Sequence, residues 1–370
     1  MNKKIVFGNW EAITVIINMI CTKIFISFPR FMVEDAGTAS WLLTIYISIL
    51  AFIGFYIISG LYKGFEGKDP IELAELAAGN TGRVAAGIVL TLLMLYFTAY
   101  HLRLYAENLK IISLSISPIS YVMLFFVTGM LVSAKTGLES LVRLHSIYVP
   151  VIATGYLIIL LAVLPLFRFE NILPVLGTGP YEIFIKGFSR LSIFAELILL
   201  FLMAPYLRSN RNLKISGYTA LGFSCFFLLT GAITYIGVMT YPVALERILP
   251  IYPMSRLIDY GRFFQRIESV FVFIWAGAGL LYISVAFYFC LEVFRKTFRL
   301  EYSRPLALPF AAIVSTIALL SPSLMASIQI DSQYFRRWSW ILSFGLTIII
   351  LMAARIKKSR KATEKNPTRC

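Results

Sequence analysis

Two charged side chains, Lys23 and Glu196, stand inside long apolar runs. A charge in hydrocarbon costs from about 2.5 to above 10 kcal/mol, so such residues mark a buried ion pair or a binding cavity. Each lies beside a possible helix interruption. Asn18-Met19-Ile20-Cys21-Thr22-Lys23 leads to Phe28-Pro29, and Phe194-Ala195-Glu196 leads to Ala204-Pro205. An interrupted helix frees backbone N–H groups whose partial charge attracts a carboxylate. Glu196 can hold an ammonium or stabilise Lys23. A ligand with both charges, such as an amino acid, suits the pair; a purely structural ion pair is the alternative.

Further candidates surround these two. Tyr96, Tyr100 and, less well, Tyr105 share a helix face. Tyrosine hydroxyls line cavities and also form interfacial belts, and Tyr96 is preferred over Tyr100 as the cavity residue. Trp275 and Tyr282 flank Ala276-Gly277-Ala278-Gly279, a run of small residues that suits close helix packing. The expected ligand-binding set is Asn18, Thr22, Lys23, Tyr96, Tyr100, Glu196, Trp275 and Tyr282. Arg103 and Glu107, one turn apart, are expected to pair near the outer surface. Cys21, Cys225, Cys290 and Cys370 form no CxxC motif and no cluster with His101 or His145. No phosphate-cradling glycine motif and no Ser/His/Asp cluster is visible. The expectation is therefore no metal, no cofactor and no enzyme.

The composition names the solvent that positions these residues. Of 370 residues, 59% are hydrophobic and 14% charged, against about 45–50% and about 25% in soluble domains. Such a chain cannot cover itself with polar surface in water. That excludes a nucleic-acid binder and a disulfide-stapled secreted domain, despite a net charge of +15. Segments near the 20 apolar residues a bilayer requires lie at about 9–30, 40–62, 84–107, 118–134, 145–167, 188–206, 215–239, 268–293, 305–326 and 336–355. The expectation is an all-α integral membrane protein of ten helices, one domain over 1–355 with a basic cytoplasmic tail at 356–370. Asn9, Glu11 and Asn18 interrupt the first apolar run, which argues against a cleaved leader.

With the N-terminus inside, 21 Lys and Arg fall on inner segments and 12 on outer ones. That bias predicts both termini in the cytoplasm. Five spans per half would insert the halves upside down relative to each other, as in the inverted repeats of secondary transporters. Aligning Pro29 with Pro205 sets Glu196 opposite Ile20, close to Lys23 in depth, in the first helix of each half. The connection 241–267 differs from the short loops elsewhere. It is rich in Pro, aromatics and Arg, and Arg262, Arg266 and Glu268 are candidates for an outer lid or a partner surface.

Tyr252-Pro253, Gly261-Arg262 and Arg266-Ile267-Glu268-Ser269-Val270-Phe271, followed by Trp275, resemble the B subunits of spore germinant receptors. Phe28-Pro29 and the loop from Lys68-Asp69-Pro70 to Gly82-Arg83 fit as well. The resemblance implies the amino acid–polyamine–organocation superfamily and its fold: ten helices in a 5+5 inverted repeat, with helices 1 and 6 broken (LeuT/APC-like). It further implies a subunit in the spore inner membrane that senses a small nutrient germinant. Its partners would be a membrane-bound A subunit and a C-subunit lipoprotein. The rival expectation is a proton-coupled amino-acid permease in which Glu196 or Lys23 takes up the proton.

Overall fold

The computed structural model describes residues 7–258 and 267–365, with side chains over 7–258 and 272–360. Every regular element among the described residues is helical. Helix α1 (Asn9–Cys21) is buried at each position from Ala12 to Cys21. It gives way to a 3-10 turn, Thr22–Phe25, and the chain restarts as α2 (Phe28–Ala36). Pro29 sits in the first turn of α2, where its missing N–H costs nothing and its fixed φ favours a helix start. The first span therefore breaks without a glycine and extends beyond the expected 30 to Ala36.

Helix α3 (Ser40–Leu61) returns across the bundle. Helix α4 (Pro70–Ile112) starts at Asp69, whose carboxylate accepts from the Ile71 and Glu72 N–H groups at 2.9 Å. Gly79, at φ 71°, kinks α4, so a short leading helix precedes the long one. Helices α5 (Ile119–Thr136) and α6 (Leu138–Val163) follow. The second interruption comprises a π-helical turn, Tyr181–Lys186, a 3-10 stretch, Gly187–Leu197, and the short α7 (Ile198–Leu202).

The second half continues with α8 (Asn210–Val238), α9 (Tyr241–Glu246), α10 (Ile251–Arg256), α11 (Ile267–Thr297) and α12 (Ala307–Leu320). One long final helix holds α13 (Leu324–Ile330), α14 (Arg336–Trp340) and α15 (Leu346–Lys365). Two π-helical turns, Asp331–Phe335 and Ile341–Gly345, separate these three parts.

Among the described residues, seven helical stretches are long and apolar enough to cross a bilayer: 28–61, 70–112, 119–136, 138–166, 210–238, 272–297 and 324–360. The helix at 304–320 is apolar but shorter. A count of ten additionally requires that short helix and the two interrupted segments. Ile49, Ile53, Leu92, Ile147, Leu161 and Phe273 are exposed on the outer surface, as lipid-facing residues are.

Helix α1 packs on α6 and α8, and α4 packs along α11. A Cβ at Gly279 would overlap the Tyr105 ring, and one at Gly277 would overlap Tyr148. The small-residue run of α11 therefore serves close helix approach, as its composition suggests.

Candidate functional site

The two interruptions meet in the core and bring Lys23 to Glu196. The Lys23 ammonium forms an ion pair with the Glu196 carboxylate and donates to the Ile193 carbonyl at 2.5 Å. Ile193 O lies within the 3-10 stretch Gly187–Leu197. Glu196 is fully buried; its other oxygen accepts from Tyr282 Oη at 2.9 Å and lies 3.6 Å from Arg336 Nη1. Arg336 also pairs with Asp331 at 3.2 Å and donates to the Ser192 carbonyl at 3.3 Å. Asp331 in turn accepts from Tyr96 Oη at 2.6 Å. Lys23, Glu196, Arg336 and Asp331 thus form a buried cluster of alternating charges, two cations and two anions, hereafter the ring. Each charge has an opposite partner, as charges withdrawn from water require.

Aromatic residues wall the ring. His101 stacks on Tyr282 with centroids 3.9 Å apart and donates from Nδ1 to the Phe97 carbonyl at 2.8 Å. Tyr96 stacks on Phe335 and on Tyr100. A cavity of about 20 Å³ beside the ring is lined by Lys23, Tyr100, His101, Arg190, Ile193 and Arg336, among others. It holds about one water molecule, so the site is closed. At one edge, Arg190 grips Asp35 of α2 with two hydrogen bonds, 2.5 and 2.8 Å long. That contact ties the second half of broken helix 1 to the start of broken helix 6.

The expected residues separate into three groups. Lys23, Glu196, Tyr100 and Tyr282 come together, and Tyr96 joins them through Asp331. Tyr100, rather than Tyr96, lines the cavity, because the Tyr96 ring is held against Phe335. Asn18 and Thr22 face the other side of the unwound turn. Asn18 Nδ2 donates to the Ala278 carbonyl at 3.2 Å and lies 3.4 Å from His145 Nε2. Thr22 Oγ1 donates to Asn18 O at 2.5 Å. Both line a separate cavity of about 30 Å³ together with Tyr156 and Phe227. Trp275 is fully buried and stacks on Tyr105 at 5.0 Å instead of reaching the ring. Arg262 and Arg266 lie outside the described residues, as does the Glu268 side chain. Arg103 and Glu107 pair at 2.7 Å, as their spacing predicts.

Sequence reasoning missed Arg336 and Asp331. Arg336 counted among the outer basic residues, yet it is buried in the core. On an α-helix, residues five apart point about 140° apart. The π-helical turn Asp331–Phe335 closes i→i+5 bonds and brings Asp331 and Arg336 to one face. The only signal in sequence was a second opposite-charge pair at the start of the last apolar run.

Comparison with known proteins adds ancestry to this geometry. Residues 9–327 match the family described as Spore germination protein. The Bacillus subtilis (strain 168) spore germination protein A2 is 24% identical over 303 residues, covering 80% of this chain and 81% of A2. Spore germination protein YndE of the same strain is 22% identical over 281 residues, covering 75% and 77%. Among solved structures, the nucleobase-cation-symport-1 family transporter Mhp1 superposes with a TM-score of 0.67 at 11% identity. That match covers 88% of this chain and 74% of Mhp1. A Na+-coupled sialic acid symporter gives 0.62 at 11% identity over 94% of this chain and 78% of the symporter. These likenesses show the fold: the all-α architecture shared with those two transporters.

Proposed function

The chain belongs to the spore germination protein family, and we propose that it is the ligand-sensing membrane subunit of a germinant receptor, with its site at the Lys23–Glu196–Arg336–Asp331 ring. The observation that carries the proposal is the ring itself: four charges, balanced in sign, buried where two interrupted helices meet. A small zwitterionic nutrient of the amino-acid class fits this chemistry. Its carboxylate would take over Arg336 or Lys23, and its ammonium would take over Glu196 or Asp331. Exchanging one set of ion pairs for another avoids stranding a buried charge.

The closed cavity has no room for an amino acid, so binding must separate parts of the ring. A ligand that binds the separated arrangement better shifts the population toward it. In this reading a membrane-bound A subunit and a C-subunit lipoprotein register the shift in the spore inner membrane. Arg262, Arg266 and Glu268 act as the outer coupling segment, and both termini face the cytoplasm. The Lys23 ammonium already occupies an unwound-helix carbonyl, the kind of position that takes a coupling cation in secondary transporters. A built-in cation favours sensing over metal-ion-coupled uptake.

The test is binding of a panel of radiolabelled amino acids to the full-length chain purified in detergent. At least one should bind, and the Lys23→Met/Glu196→Gln double variant should lose that binding while eluting like the parent. Binding retained by the double variant would overturn the assignment of the site. Ligand accumulation in liposomes containing the chain alone would overturn the sensor reading in favour of a permease.

A further inference from the structure

The end of the bundle where α3 finishes and α8 begins carries many basic residues, and they divide into two sets. On the α4 and α11 side the cations have acidic partners: Lys296 with Asp69, Arg299 with Glu75, and Arg295 with Glu292. On the α3 and α8 side they do not. Lys63, Arg211 and Lys214 form no ion pair within 4 Å among the described residues. These three line one open cleft of about 570 Å³, together with Glu66, Asn210, Ile215, Tyr218 and Thr219. Arg211 and Lys214 also stand in the first turns of the 29-residue α8, which has no acidic residue in its first turn. Cations there add to the positive end of the helix dipole instead of offsetting it. The cleft therefore concentrates three cations against the single carboxylate of Glu66.

We propose that this cleft binds the headgroup of an anionic phospholipid whose phosphodiester carries a hydroxylated substituent, as in phosphatidylglycerol. Lys63, Arg211 and Lys214 meet the phosphate. Asn210 lines the cleft, its Oδ1 has no hydrogen-bond partner among the described residues, and it accepts a headgroup hydroxyl. Glu66, held by the Gly64 N–H at 3.0 Å, offers a second acceptor. Ile215 and Tyr218 continue the cleft along α8 with apolar surface for the glycerol backbone and the chains. That amphipathic order favours a lipid over a soluble phosphate ester. The site is independent of the ring and of any germinant.

The full-length chain, purified in mild detergent, is mixed with phosphatidylglycerol, phosphatidic acid, phosphatidylcholine or glycerol 3-phosphate and examined by native mass spectrometry. Phosphatidylglycerol should be retained at least tenfold more than phosphatidylcholine and severalfold more than phosphatidic acid, which lacks the hydroxyls. Lys63→Gln/Arg211→Gln/Lys214→Gln should lose that preference. Lys135→Gln/Arg143→Gln/Arg299→Gln, with the same charge change elsewhere at this end, should keep it. The single Lys214→Glu should weaken retention by itself and guards against a triple variant that fails to fold. Three results overturn the proposal: equal retention by the cleft variants, equal loss in the control triple, or glycerol 3-phosphate binding as well as the lipid.

Discussion

Replacing Glu196 by Gln removes one negative charge from the ring and keeps the volume. In the native structure that carboxylate holds Lys23, accepts from Tyr282 at 2.9 Å and lies 3.6 Å from Arg336. At 3.6 Å and an effective dielectric of about 20, the Arg336 attraction alone is about 4–5 kcal/mol before desolvation. The tyrosine bond to a charged acceptor contributes about 1.5–3 kcal/mol. Burial offsets much of this, and breaking one partner of a buried pair costs about 3–5 kcal/mol net. Glu196→Gln leaves two cations against Asp331, so it should show that cost. Lys23→Met strands the opposite sign and should cost about the same. The double variant keeps the Arg336–Asp331 pair and is neutral again, so its loss should be smaller than the sum of the singles by at least about 2 kcal/mol. Thermal unfolding of the detergent-purified chain reads this. At roughly 2 °C per kcal/mol for a large domain, each single should fall by roughly 5–10 °C and the double should recover most of that. Losses that simply add, or singles as stable as the parent, would refute the idea that the two charges neutralise each other.

Three further outcomes are expected. Arg190→Lys keeps the charge but loses the two-point grip on Asp35; a Cys placed at cavity-lining Leu104 should then react with a small thiol reagent at least threefold faster, and an unchanged rate would show that the contact is not a latch. Because Lys23 supplies the cation, replacing sodium chloride by choline chloride should change ligand affinity of the purified chain by less than about twofold, and a tenfold loss would mean that a metal cation binds as well. A reporter fused after Arg360 should lie in the cytoplasm and one inserted near Asn171 should lie outside; the reverse at either position would invert the proposed orientation.

The sequence by itself determined the solvent, the helical class and two of the four ring charges. Each of these is a local property: hydropathy over about 20 residues selects a bilayer, and a charge amid such a run demands a partner. Pro29 likewise marked the restart after the first interruption, because a missing N–H and a fixed φ act wherever they occur, whereas Pro205 lies past the second interruption, in the 3-10 turn Ala204–Tyr206 after α7. What the chain does with that charge was decided only in three dimensions. Lys23 and Glu196 are 173 residues apart and meet because α1 and the 3-10 stretch at Gly187–Leu197 pack together. Arg336 reads in sequence as an outer basic residue. A single π-helical turn rotates it and Asp331 onto one face and places both in the ring. Asn18 and Thr22 line a cavity apart from the ring, bonded to Ala278 and to the turn itself, and Trp275 stacks on Tyr105. Residue type sets which bonds a side chain can make. The direction it faces depends on helix phase and on neighbours far away in the chain, and those exist only once the bundle has packed.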